Sequence, residues 1–124
     1  MYEIGVTTDF SSAHHVRGHA GKCAGPHGHN WAVEVFFRGE TLNELGMIED
    51  FRVLKDGIRR VLDTVDHKDL NRLPAFASCN PTSENIARWL FEELARTMNN
   101  ARYRVRRVRV RESPGTMACY TETP

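Results

Sequence analysis

The 124-residue sequence has little of several features that would point to a secreted or membrane protein. It contains only three cysteines, an odd and widely spaced set, which argues against the disulfide framework of a small secreted domain. No apolar run is long enough to form a transmembrane helix, and the first ten residues lack the hydrophobic region of a signal peptide. We therefore expect a cytoplasmic protein that does not associate with membranes.

The sequence also lacks a strong net charge. Its 17 Lys and Arg residues nearly balance its 16 Asp and Glu residues, and a net charge of +1 gives no general attraction to nucleic acid or membranes. There is no internal repeat and no low-complexity segment. With 40% hydrophobic and 27% charged residues, the composition is ordinary, and the length predicts a single domain over residues 1–124.

Histidines are placed on the apolar faces of two predicted strands. Residues 2–15 alternate as a strand in which His14 shares a face with the apolar side chains. A second strand begins near His27 and runs to Arg38, and both His27 and His29 share the parity of its apolar residues. Two such strands can present their imidazoles to one ion.

The histidine spacing supports a metal hypothesis, with His14, His27 and His29 as ligands. Imidazoles suit zinc, although copper, nickel and iron also accept them, and the competing interpretation is that these are satisfied core histidines. Cys23 lies in the Gly-rich segment between the two strands. It is open as a fourth structural ligand, as an inert buried thiol, or as a nucleophile or base whose pKa a nearby cation lowers.

The remaining pattern predicts two helices followed by two strands. Asp50 is placed as the N-cap of a helix of about fifteen residues, whose apolar stripe begins at Phe51 and ends at Val65. Residues 66–81 read mostly as loop, and Thr82 caps a second helix that ends at 99–100. Strands follow over residues 103–112 and 117–122. The order ββααββ predicts an α+β domain with both helices on one face of an antiparallel sheet.

The strand predicted over residues 103–112, the third in chain order, carries an irregularity that bears on Glu112. Apolar residues are odd-numbered up to Val105 and even-numbered from Val108, and this slip at Arg106-Arg107 predicts a β-bulge. After the slip Glu112 falls on the apolar face, where a carboxylate is costly unless it is paired or binds a ligand. The N–H edge of a pterin, purine or guanidinium suits its two oxygens, and a salt bridge to arginine is the alternative.

Asp66-His67 follows the first helix and allows two interpretations. In the first, both residues are solvated groups at a helix end, where the dipole favours His67. In the second, His67 relays protons while a carboxylate orients its ring. Residue types alone favour the first.

Arginines are dense between residues 102 and 111, which allows phosphate or RNA binding. Arg109 and Arg111, however, alternate away from the apolar face. A solvated or intersubunit surface is the favoured interpretation.

Taken together, these residues resemble the 6-pyruvoyl-tetrahydropterin synthase family, and within it the 6-carboxytetrahydropterin synthases of queuosine biosynthesis. Each motif is short, but their order and spacing are specific in combination. In chain order they are Phe10-Ser-Ser-Ala-His14, Lys22-Cys23, His27-Gly-His29, Gly46-Met-Ile-Glu-Asp50-Phe51, Asp66-His67 with Leu70-Asn71, Pro81-Thr-Ser-Glu84 and Arg111-Glu112-Ser113.

The resemblance implies a fold, an assembly and a set of roles. The fold is the tunnelling fold, whose ββααββ units form barrels, usually as a hexamer built as a dimer of trimers with active sites between subunits. Zinc is implied on His14, His27 and His29, with Cys23 as the proton-abstracting base. Asp66 and His67 are implied as a relay that serves the site of a neighbouring chain, and Glu112 as the residue that anchors the pterin ring.

The substrate implied by the resemblance is 7,8-dihydroneopterin triphosphate, converted to 6-carboxy-5,6,7,8-tetrahydropterin, acetaldehyde and triphosphate. Lys22 or Arg17 is expected to hold the triphosphate. The three residues between Cys23 and His27 resemble the queuosine branch. The alternatives are a 6-pyruvoyl-tetrahydropterin synthase or pterin aldolase on the same scaffold and, from another class, a zinc-stabilised module that binds RNA.

Overall fold

The computed structural model describes residues 1–18 and 27–123, with His27 described by its backbone alone. These residues form five β-strands, two α-helices and two 3₁₀ turns, Leu70–Arg72 and Pro74–Phe76. The elements are β1 Tyr2–His14, β2 His27–Gly39, α1 Phe51–Leu62, β3 Lys68–Asp69, α2 Ser83–Met98, β4 Arg104–Ser113 and β5 Thr116–Thr121. The strands form one sheet in the order β3-β1-β2-β4-β5. The predicted α+β class is confirmed.

The two long strands β1 and β2 pair antiparallel over their whole length, from Tyr2 opposite Gly39 to His14 opposite His27. Because side chains alternate along a strand, one face of this pair is apolar, and Phe10 and Trp31 are fully buried on it. This face joins the helices in a single hydrophobic core. The histidine end of the pair is therefore held on a buried, well-packed support.

The β-bulge predicted in β4 is confirmed. Phe36 of β2 pairs with Arg107, but its neighbour Phe37 pairs with Val105, so that Arg106 has no opposite residue. The extra residue lets Val105 and Val108 both face the core, where each is at most 1% exposed. Beyond the bulge, every even-numbered position of β4 faces inward, including Glu112.

Both helices begin at the N-caps that the sequence predicted. The side chain of Asp50 accepts a hydrogen bond from the backbone N–H of Arg52, and that of Thr82 accepts one from Asn85. Hydrogen bonds from the Arg52 side chain and then its backbone lower the pKa of Asp50 from its usual value. Within the described ranges, no helix has the length and apolar character needed to cross a membrane.

The first helix differs from the prediction at both ends of its apolar stripe. Phe51 is 47% exposed rather than buried, whereas Leu54, three residues later, is fully buried. The helix ends at Leu62, before the predicted end, and Val65 reaches the core from the turn that follows, where it is 2% exposed.

The prediction of loop over residues 66–81 missed a short fifth strand. In β3, Lys68 pairs with Ser12 and Asp69 with Ala13, parallel to β1. The backbone N–H of His67 also donates to the carbonyl of Ser11 at 2.5 Å. Two residues are too few to show a period in the sequence, so this edge of the sheet depends on contacts between distant parts of the chain.

Candidate metal and pterin site

Three side chains of types that can bind a metal converge at one end of the sheet. His14 is the last residue of β1, His29 lies near the start of β2, and Glu112 lies near the end of β4. These strands are neighbours in the sheet, and all three side chains belong to its apolar face. Oε1 of Glu112 lies 2.7 Å from Nε2 of His29 and 3.2 Å from Nε2 of His14. One ligand atom from each residue lies within 4.8 Å of the others.

The hydrogen bonding of His14 prepares its ring to bind a cation. The ring is 2% exposed, and Nδ1 lies 2.8 Å from the carbonyl oxygen of Pro81. A carbonyl only accepts, so Nδ1 carries the hydrogen and Nε2 of the neutral ring holds a lone pair. That lone pair faces the carboxylate of Glu112, which is also an acceptor. Two acceptors at this distance attract only with a proton or a cation between them.

The donor set fits zinc. Imidazole nitrogen and carboxylate oxygen are among its usual ligands, and a backbone carbonyl bonded to the far nitrogen is the common way to fix a ligating ring. Trp31 supports the group from below, with ring centroids 4.9 Å from His14 and 5.6 Å from His29. Because Trp31 is fully buried and stacked on Phe10, both imidazoles pack against a well-ordered apolar side chain.

Two of the three predicted metal ligands, His14 and His29, are thus brought together. The backbone of His27 pairs with His14 in the β1–β2 register, and its side chain lies outside the described residues. Glu112 contacts both imidazoles. It was predicted as a pterin anchor, with a salt bridge to arginine as the alternative. The ligand set and the pterin role remain predictions.

Cys23, predicted as the base, lies outside the described residues, as does Lys22. Its place in the sequence, between His14 and His27, puts it on the segment that joins the two histidine strands. Its role also remains a prediction.

Asp66 and His67 have distinct environments. Oδ1 of Asp66 accepts a hydrogen bond from the backbone N–H of Ser11 at 2.8 Å, so this carboxylate helps to hold the chain beside β1. Nε2 of His67 lies 3.7 Å from the same oxygen, and the His67 side chain is 81% exposed. His67 and His29 both line a cavity of about 550 Å³. An exposed imidazole at this edge is consistent with the predicted relay to a second chain, which remains a prediction.

The backbone of His67 is strained, with φ at +57°. An L-residue in this left-handed region costs about 1 kcal/mol relative to glycine, so we expect His67→Gly to raise the free energy of unfolding by about that amount. Loss of a proton-transfer group is expected to lower turnover about 100-fold or more in the same variant. Denaturant titration at fixed protein concentration and steady-state assays measure the two effects.

His67→Ala is the matched control, because it removes the imidazole and keeps the strain. We expect it to lose the same activity without gaining stability. Full activity in both variants would rule out a catalytic role for His67.

Pro81 and Trp31 contribute to the site in ways that the sequence did not reveal. Pro81 was predicted as the residue before a helix N-cap and as part of a family motif, but its contact with His14 depends on its carbonyl, which every residue has. Trp31 is one of the apolar residues of β2 that share the parity of His29. Its position two residues after His29 on the same face was the one available signal.

The chain belongs to the 6-pyruvoyl tetrahydropterin synthase family, whose model matches residues 3–123. An Archaeoglobus fulgidus protein, provisionally named a 6-carboxy-5,6,7,8-tetrahydropterin synthase, is 44% identical over 110 residues, covering 89% of this chain and 87% of its own. A Synechocystis protein named 6-carboxy-5,6,7,8-tetrahydropterin synthase is 38% identical over 99 residues, covering 76% of this chain and 75% of its own.

The fold agrees with this membership. The structure of Caenorhabditis elegans 6-pyruvoyl tetrahydropterin synthase superposes with a TM-score of 0.87 at 32% sequence identity. The match covers 98% of this chain and 96% of that one. The architecture predicted from the resemblance, the tunnelling fold, is therefore confirmed for the single chain.

Proposed function

We propose that this protein is a zinc-dependent 6-carboxy-5,6,7,8-tetrahydropterin synthase. It converts 7,8-dihydroneopterin triphosphate and one water into 6-carboxytetrahydropterin, acetaldehyde and triphosphate, a reaction of queuosine biosynthesis. The observation that carries the proposal is the convergence of His14, His29 and Glu112, together with the hydrogen bond between Nδ1 of His14 and the carbonyl of Pro81. The names of the Archaeoglobus and Synechocystis relatives favour this product.

The residues have separate tasks in this proposal. His14, His27 and His29 hold zinc, which when bound supplies a Lewis acid for the substrate side chain. Glu112 accepts hydrogen bonds from adjacent N–H groups of the pterin and so fixes the ring beside the histidines. Cys23 accepts the carbon-bound proton as a thiolate. His67, oriented by a carboxylate, transfers protons on the other side of the substrate.

A homo-oligomer, expected to be a hexamer, completes this arrangement. Two observations support it: the imidazole of His67 is exposed, and β3 and β5 are the edge strands of the sheet in the part of the chain that the structure describes. Edge strands can pair with another copy of the chain. In such an assembly Asp66 and His67 of one chain serve the site of its neighbour.

Product analysis tests the proposed reaction. The purified protein, loaded with zinc, is incubated with 7,8-dihydroneopterin triphosphate, and the products are separated and identified. We expect acetaldehyde and 6-carboxytetrahydropterin in equal amounts, and neither after removal of the metal with a chelator. Absence of acetaldehyde from a metal-loaded, folded enzyme would contradict the proposal.

A second function on the same scaffold is 6-pyruvoyl-tetrahydropterin synthase, favoured by the close superposition on the Caenorhabditis elegans enzyme of that name. The same assay separates the two, since this activity yields the pyruvoyl product without acetaldehyde.

An RNA-binding module has less support, because Arg109 and Arg111 each lie 3.4 Å from a carboxylate oxygen of Glu34. The one carboxylate of Glu34 offsets part of the charge of these two arginines.

For Cys23→Ala we expect retained fold and stoichiometric zinc with turnover reduced on the order of 10³-fold, because a positioned general base contributes about 10²–10⁴-fold. Metal content by atomic emission and steady-state turnover are the two measurements. Cys119→Ala is the matched control, because Cys119 is an exposed thiol on β5. Loss of zinc in Cys23→Ala would instead indicate that the thiol is a fourth, structural ligand.

A further inference from the structure

Two asparagine side chains form hydrogen bonds with the backbone of the residues that follow β1. Asn71 accepts from the N–H of His15 at 2.8 Å and donates to its carbonyl at 3.0 Å. Asn80 does the same for Arg17, at 2.9 Å and 3.0 Å. A primary amide offers one acceptor and two donors, so each side chain satisfies both backbone groups of one residue.

These two amides continue the pairing that β3 begins. His15 and Arg17 follow the end of β1 two residues apart, and each binds one of these amides through both its N–H and its C=O group. β3 pairs with Ser12 and Ala13 immediately before them. Asn71 and Asn80 therefore hold the chain directly after the end of β1, between its last residue, His14, and the turn at Arg17.

The amides are themselves held in place. The backbone N–H of Asn71 donates to Oδ1 of Asp69 at 3.1 Å, and the carbonyl of Asn80 accepts from Nδ2 of Asn85 at 2.8 Å. Arg17 adds a third connection, since its guanidinium donates to the carbonyls of Phe76 at 2.8 Å and Cys79 at 2.7 Å. Segment 71–80 is thus bound firmly to residues 15–17.

The same segment also holds the ring of His14. Pro81, which accepts the hydrogen bond of His14 Nδ1, follows Asn80 directly in the chain. Two adjacent residues therefore contact both ends of the segment 14–17. Pro81 contacts the imidazole of His14, and Asn80 contacts the backbone of Arg17. A displacement of Asn80 moves the carbonyl that orients the ring.

We infer that Asn71 and Asn80 are positioning residues for His14, which fix the direction of its Nε2 at the candidate metal site. This inference rests on the proposed metal site. A metal site tolerates displacements of its ligands of only about 0.5 Å, and loss of an outer-shell partner typically weakens metal binding about 10- to 100-fold. Neither asparagine contacts the metal or the substrate in this assignment.

The test is zinc affinity, measured by competition with a chromophoric chelator on the full chain. We expect Asn80→Ala and Asn71→Ala each to bind zinc about 10- to 100-fold more weakly than the unsubstituted protein. The visible absorption of Co²⁺ bound in place of zinc depends on coordination geometry, so its bands are expected to shift in both variants. Circular dichroism verifies that each variant is folded.

Asn100→Ala is the matched control. Its Oδ1 also accepts from two backbone N–H groups, those of Arg102 and Tyr103, at 2.8 and 3.0 Å. It precedes β4 at the end of the sheet opposite to the histidines, since Arg104 pairs with Arg38. We expect its zinc affinity and Co²⁺ spectrum to be unchanged.

The outcomes separate the two levels of the proposal. Unchanged zinc affinity in folded Asn71 and Asn80 variants overturns the positioning role, as does an equal loss in Asn100→Ala. Failure of the unsubstituted protein to bind zinc counts against the proposed function itself. If Asn80→Ala does not fold, Asn80→Asp keeps the acceptor and removes the donor, and its affinity decides in the same way.

Discussion

Exchange of His14 for alanine is expected to abolish stoichiometric zinc binding and to lower turnover on the order of 10³-fold, since Lewis-acid stabilisation is worth several kcal/mol. His14 is the most buried of the three clustered residues, and its Nδ1 is already bonded to Pro81. Its Nε2 is directed at the centre of the cluster. Metal content after gel filtration and product formation from dihydroneopterin triphosphate are the measurements.

The neighbouring histidine provides the control for this experiment. His15 follows the last residue of β1, and alternation along an extended chain predicts that its side chain lies on the opposite side from that of His14. We expect His15→Ala to retain zinc and most of its activity. The opposite result, with zinc lost from His15→Ala and kept in His14→Ala, would exchange the assignment of the two histidines.

Exchange of Glu112 for glutamine is expected to weaken pterin binding by about 100-fold or more, because hydrogen bonds to a charged group are worth about 1.5–3 kcal/mol each. A carboxylate accepts from two adjacent N–H groups, whereas the amide has one acceptor and opposes the second N–H with its own. Zinc is expected to remain, held by His14, His27 and His29. Isothermal titration with a non-reacting pterin measures the affinity.

The structure makes the metal content of Glu112→Gln as informative as its pterin affinity. Oε1 of Glu112 lies close enough to both imidazoles to join them around an ion. Zinc loss in this variant would make Glu112 a metal ligand and remove the reason to assign it to the pterin. Glu34→Gln serves as the control, because Glu34 belongs to the other face of the sheet, where it pairs with Arg109 and Arg111.

Much of this arrangement could be predicted because it follows from local periodicity. Alternation along β1 and β2 placed His14 and His29 on the apolar face, and the slip at Arg106-Arg107 placed Glu112 there too. The register then brought the three side chains together, since the sheet aligns the ends of neighbouring strands.

The missing parts are contacts between backbone groups and distant side chains. The carbonyl of Pro81 that orients His14, the amide of Asn80 on Arg17, and the short pairing of Lys68 with Ser12 leave no repeat in the sequence. Every residue has a carbonyl, and asparagines are frequent in loops. Such contacts become visible only when residues 60 or so apart in the chain are placed side by side.

Arg106, which has no opposite residue in β2, determines which side chains of β4 face the core. Side chains on a strand repeat every two residues, so one additional residue shifts the phase of everything after it by half a period. Before Arg106 the odd positions point to the core, and after it the even positions do. Without that half-period shift, the same residues would carry Glu112 to the arginine-rich face, and the histidines would lose their carboxylate neighbour.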